Sequence, residues 1–176
     1  MKGMLVVITI VTAISAGIAA YAINGTSTIQ GATTTVAYSV NGGSLPVPAG
    51  CSLAKSESSQ GYRMEIYLPS AAKAGASACM MFVVQNVNHT GSPELSGLTA
   101  KIIDAKGDVV GLDAGGCNIA GSDTTFPVRT QFVCTTFWNA AVPAGTYHVN
   151  VDISFPASGS NPPYDVTTSA NMTLSG

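Results

Sequence analysis

A chain of 176 residues and 17.8 kDa holds one domain or at most two and excludes a large multi-domain enzyme. Only 7 residues are basic and 9 acidic, 9% charged against about 25% in an ordinary globular domain, so no basic surface can assemble to displace counterions from a nucleic acid. Solubility must rest on hydroxyls and amides, the composition of an exported or surface protein rather than of a disordered one.

The first predicted element spans residues 4–23, which carry no charge and only Thr9, Thr12 and Ser15 as weakly polar members. As a helix rising about 1.5 Å per residue it would cover the roughly 30 Å of a bilayer's hydrocarbon core. Lys2 precedes the run and a turn-like Asn24-Gly25-Thr26 follows it, which keeps positive charge on the cytoplasmic side and exports the rest. Three mature proteins are compatible with this. A secretory signal peptide would be cut after Ala20-Tyr21-Ala22, leaving Ile23 as the N-terminus. A membrane anchor would keep the segment in lipid. A prepilin would keep it as the core of a filament.

The prepilin reading rests on Lys2, Gly3 and Met4, a basic residue and a glycine directly before the apolar run. This resembles the processing site of archaeal type IV pilin precursors. The resemblance covers about the first 25 residues and implies cleavage after the glycine by a prepilin-processing peptidase, retention of the hydrophobic helix, membrane insertion before assembly, and handling by pilus assembly machinery. The bacterial branch carries a glutamate at the fifth mature position, where this chain has Ile8, so the archaeal branch is the better match. Ala13, Ala16, Gly17 and Ala20 would let neighbouring helices approach closely, since in lipid van der Waals contact replaces the hydrophobic drive between helices. Signal-peptide cleavage regions are rich in small residues as well.

Beyond residue 30 the apolar period changes to two. Tyr147, Val149, Val151, Ile153 and Phe155 alternate with His148, Asn150, Asp152 and Ser154, and Val166, Thr168, Ala170, Met172 and Leu174 alternate with Thr167, Ser169, Asn171 and Thr173, each the pattern of a half-buried strand. Further strands are predicted over 33–40, 62–68, 79–85, 98–104, 109–112 and 128–135, separated by Gly- and Pro-bearing turns. The segment 142–151, Val-Pro-Ala-Gly-Thr-Tyr-His-Val-Asn-Val, resembles the turn-to-strand passage of immunoglobulin-like domains. The predicted fold is therefore mainly β with one long N-terminal hydrophobic α-helix: residues 1–26 as the helix, and residues 27–176 as an antiparallel immunoglobulin-like β-sandwich with a core of its own.

Cys51, Cys79, Cys117 and Cys134 all fall in the exported part and are even in number, which predicts disulfides; the pairs nearest in sequence, 51 with 79 and 117 with 134, are favoured among the three connectivities. Their spacing is not that of a zinc site. Asn24, Asn88 and Asn171 each begin an N-x-T sequon and are candidate glycosylation acceptors.

Catalytic chemistry is poorly represented. Ser52 and Lys55 match S-x-x-K without the companion motifs that chemistry needs, and His89 and His148 form no triad and read as solvated surface residues. Asp104, Asp108 and Asp113 lack EF-hand spacing and read as exposed turn carboxylates. No phosphate-binding glycine loop occurs. No enzyme activity, metal, cofactor or nucleic-acid partner is expected. The expected function is a structural subunit of an extracellular, adhesive cell-surface filament, an open homopolymer with helices packed inside and β-domains outside. Two alternatives stand beside it: a subunit cleaved before Ile23 that donates residues 23–40 as a strand to its neighbour's sandwich, and a membrane-anchored or secreted binding domain.

Overall fold

The computed structural model describes residues 21–29, 32–39, 46–89, 97–111, 126–156 and 163–176. Lys2, Gly3, Met4, Ala13, Ala16, Gly17 and Ala20, on which the processing site and the helix packing depend, lie outside them, as do Cys117 and Asp113. Within the described residues every regular element is a strand, and no helix is long and apolar enough to cross a membrane.

The expected N-terminal helix is therefore corrected where it can be seen. Residues 21–26, assigned to it, belong to strand β1 (Tyr21–Ile29), which pairs antiparallel with β2 (Ala32–Ser39) from Tyr21↔Ser39 to Ile29↔Ala32. The local chemistry favours this. Tyr, Ile and Thr are good strand formers, whereas Asn24-Gly25 is poor helix material. Asn24-Gly25, read as a turn, is instead a bulge, because the register slips between Ile23 and Gly25 and leaves Asn24 as the extra residue.

Two sheets face each other. The first runs β1-β2-β9-β6-β4-β3, where β9 is Gln131–Asn139, β6 is Ser77–Asn86, β4 is Tyr62–Pro69 and β3 is Cys51–Ser59. The second runs β5-β11-β10-β7-β8, with β5 at Ala72–Lys73, β11 at Tyr164–Ser175, β10 at Gly145–Phe155, β7 at Gly97–Ile103 and β8 at Val109–Gly111. All pairings are antiparallel except β5 with β11, which is parallel. The immunoglobulin-like arrangement is thus corrected too: among the described residues eleven strands form one antiparallel sheet and one sheet with a parallel edge pair, in place of the roughly seven to nine antiparallel strands of that sandwich.

The core lies between the sheets. Met64 and Ile66 of β4, Phe82 of β6 and Phe132 of β9 meet Ile102 of β7 and Val149, Val151 and Ile153 of β10, all at most 2% exposed. Alternation along β10 and β11 places Val166, Met172 and Leu174 in this core and leaves Thr167, Ser169, Asn171 and Thr173 outside. The start of β10 is fixed by Tyr147, whose hydroxyl donates to the Pro143 carbonyl at 2.7 Å. That bond ties a corner to the strand it opens, as in the tyrosine corner of β-sandwiches.

Close approach at the other side of the core demands a glycine. A Cβ on Gly111, the last residue of β8, would lie 2.7 Å from Cε2 of the Trp138 indole, and Trp138 is itself buried. Gly111→Ala should cost about 1–3 kcal/mol by overpacking. Denaturant unfolding followed by the fluorescence of the single tryptophan checks this, and an unchanged midpoint would show that β8 yields freely.

Candidate functional site

Residues 21–39 contain no Lys, Arg, Asp or Glu. Their strands lie on the body through one seam: β2 pairs with β9 from Ala32↔Trp138 to Ser39↔Gln131, and β1 pairs with β2 alone among the described residues. An edge that offers unpaired amides and carbonyls accepts another strand, and natural edges are usually blunted against it by charges, bulges or short length.

The other edges are blunted in this way. β3 carries Lys55 and Glu57, an ion pair at 3.6 Å with both side chains nearly half exposed, and its register slips between Leu53 and Lys55. Glu57 also accepts a hydrogen bond from Thr168 of β11 at 3.1 Å, which ties β3 to the facing sheet. β8 has only three residues. β1, with nine uncharged residues, carries only the bulge at Asn24.

At the far end of the β3–β4 hairpin a second constellation forms around Asn86. Gln60 (φ 51) and Gly61 (φ 85) both adopt left-handed backbone in the turn, as a tight type I′-like hairpin requires. The turn is pinned to the exit of β6: the amides of Val87 and Asn88 donate to the Gly61 carbonyl at 2.9 and 3.1 Å. The buried Asn86 side chain donates to the carbonyls of Phe126 (2.8 Å) and His89 (3.3 Å) and accepts from the His89 amide (2.9 Å). His89 is not the solvated residue expected. Its ring stacks on Tyr62 with centroids 4.9 Å apart, Nδ1 lies 3.0 Å from the Gln60 carbonyl, and Nε2 lies 3.4 Å from the Tyr164 hydroxyl. Phe155 stacks on the other aromatic members, 4.5 Å from Tyr62 and 4.8 Å from Tyr164.

The Tyr62 phenol is fully buried and lies 2.9 Å from that of Tyr164. Burial first, and the contact with Tyr164 second, hold it protonated far above the ordinary tyrosine range. An unfolded tyrosine ionises near pH 10. Above that pH the unfolded chain releases a proton that the folded chain keeps, so stability present below about pH 10 is lost as pH rises further. Thermal melting of the wild type should therefore fall steeply above about pH 10, and less steeply in Tyr62→Phe, which preserves the ring stack. Equal slopes would assign the alkaline loss to another group.

The remaining predicted residues are dispersed. Cys51 and Cys79 form a disulfide with a Cα separation of 6.1 Å, and Cys134 on β9 is disulfide-bonded as well. Asn24 sits in the β1 bulge. Asn171 is exposed in mid-strand on β11, opposite His148 of β10, which is also exposed. Ser52 and Lys55 lie on the β3 edge rather than on a helix. Asp104 serves its own turn: its Oδ1 accepts the amides of Asp108 (2.9 Å) and Lys106 (2.8 Å), and the bond from Asp108 foremost holds the carboxyl below its usual range. Among the described residues no three His, Cys, Asp or Glu side chains gather as a metal set. The seam between β2 and β9 escaped the sequence reading, since register between strands about a hundred residues apart leaves no local trace. No protein-family model, curated protein or solved structure matches the chain.

Proposed function

We propose that this protein is a structural, non-catalytic subunit of an extracellular filament, joined to its neighbours by exchange of the N-terminal hairpin. The observation that carries the reading is the β2–β9 seam. An uncharged N-terminal hairpin augments the sheet along one edge, and the backbone pairing it makes there is one that the same edge of another copy offers equally. Segments of this kind insert by strand addition, with main-chain bonds supplying affinity. Donation from each copy to the next is a heterologous contact that does not close, and such contacts build open polymers. Cleavage after Ala22 would leave Ile23 onward, most of β1 and all of β2, in the mature chain. The helix-cored filament is not carried forward, because residues 21–26 are extended.

The register supplies a direct test. Thr35 of β2 lies opposite Thr135 of β9. In mature Thr35→Cys/Thr135→Cys protein oxidised within filaments, exchange predicts a covalent ladder on a non-reducing gel, whereas pairing within each chain gives a cross-linked monomer. Filaments that form normally from a chain lacking residues 23–39, or cross-linked monomer alone, would overturn the proposal.

A further inference from the structure

Of the three sequons, the one at Asn88 is presented differently from the others. Asn24 and Asn171 lie within paired strands, where backbone register fixes the acceptor along a ladder. Asn88 stands two residues past the end of β6, on a bend with its side chain exposed. The backbone on both sides is anchored: the Asn88 amide donates to Gly61, and the Asn86 carboxamide holds both the amide and the carbonyl of His89. The Asn88 carboxamide itself has no hydrogen-bond partner among the described residues. Its Oδ1 lies over Gly61, 2.8 Å from where a Cβ would stand, and the His89 amide nitrogen lies equally near, so the bend packs directly on a glycine.

Beside it is a cleft of about 220 Å³ lined by Ser58, Ser59, Gln60, Gly61, Tyr62, Val87 and Asn88. That is smaller than the roughly 300–1,000 Å³ pockets that enclose drug-sized ligands and suits a single sugar ring. The lining has the mixed character a sugar requires: serine hydroxyls and a glutamine amide for its hydroxyls, and Val87, 47% exposed, for its apolar face. A side chain that large and that exposed at the rim is one that a covalently tethered sugar would cover.

We infer that Asn88 is an N-glycosylation site and that the first sugar of its glycan seats in this cleft, fastening the β3–β4 turn to the exit of β6. In the transfer, a bond forms between Asn88 Nδ2 and C1 of the sugar. The bond from C1 to the phosphate oxygen of a polyprenyl-phosphate-linked donor breaks, the lipid phosphate departs with the bonding pair, and the amide nitrogen loses one proton to a base of the transferase. The inference rests on the export that the proposed function assumes.

Glycopeptide mapping and intact mass of the protein purified from its native cells test both together. A mature chain starting at Ile23 with a glycan on the Asn88 peptide, lost in Asn88→Gln, is the expected result. A chain starting at Ile23 whose Asn88 peptide is bare, or that is glycosylated at Asn171 alone, overturns the inference while leaving the filament reading intact. A chain that retains Met1 and is bare overturns the cleavage before Ile23 on which the filament reading relies, and the inference with it. The seat is read separately by amide exchange: removing the glycan should speed exchange in residues 58–61 at least several-fold, and unchanged exchange there means that the sugar projects into solvent.

Discussion

Leu174→Asp should be the most damaging single substitution in the C-terminal strand. Leu174 is 2% exposed and belongs to the core between the sheets, where its backbone lies opposite Gly145 of β10 and Ala72 of β5. A carboxylate there must remain charged without a partner or take up a proton, and either course costs at least about 3 kcal/mol. In a domain of this size, about 2–4 °C of melting temperature is lost per kcal/mol, so a fall of at least about 6–12 °C is expected. The control is Thr173→Asp, one residue away on the exposed face opposite Thr146, which should stay within about 0.5 kcal/mol of the wild type. Thr167 would be a poorer control. Its hydroxyl donates to Asp152 Oδ1 at 2.8 Å across the strand pair, and a carboxylate in its place would face another directly. Equal losses from Leu174→Asp and Thr173→Asp would mean that the register of β11 is wrong.

Reduction of the disulfides should have the second largest effect. Cys51 and Cys79 are separated by 28 residues, and a loop of that length, once freed, returns about 3 kcal/mol of conformational freedom to the unfolded chain. The bridge has a particular task here. β3 is exposed along almost its whole length and among the described residues pairs in the sheet only with β4, so the bond to Cys79 fastens the start of β3 to β6, the strand beyond β4. Cys51→Ser/Cys79→Ser should lower the melting temperature by about 6–12 °C, and amide exchange should show β3 opening before β4 or β6. A melting curve unchanged by the double substitution would assign the stability of β3 to its pairing with β4 alone. Reduction with a thiol should exceed this loss, because Cys134 is also disulfide-bonded.

What this sequence determines by itself is whatever a few neighbouring residues settle together. The alternation along β10 and β11 was legible because each strand buries one face and wets the other, so the period appears in five or six consecutive pairs. The bond between Cys51 and Cys79 was legible because the nearest cysteine is the easiest to reach. β3 was not legible: an edge strand exposed on both faces needs no apolar period, and no strand is predicted over Cys51–Ser59. β1 was misread for the opposite reason. Tyr21, Ala22 and Ile23 end an apolar run that suits helix and strand alike, and the choice fell to pairing with β2.

Tertiary structure alone decided the placement of His89, whose neighbours Tyr62 and Tyr164 are brought to it from distant strands. It also decided that the hairpin of residues 21–39 lies along β9. Hydrogen bonding between backbones is blind to side-chain identity, so any uncharged strand could occupy that edge as far as local sequence shows. Only the order in which the sheets assemble around their common core leaves β9 as the edge that the N-terminal hairpin covers.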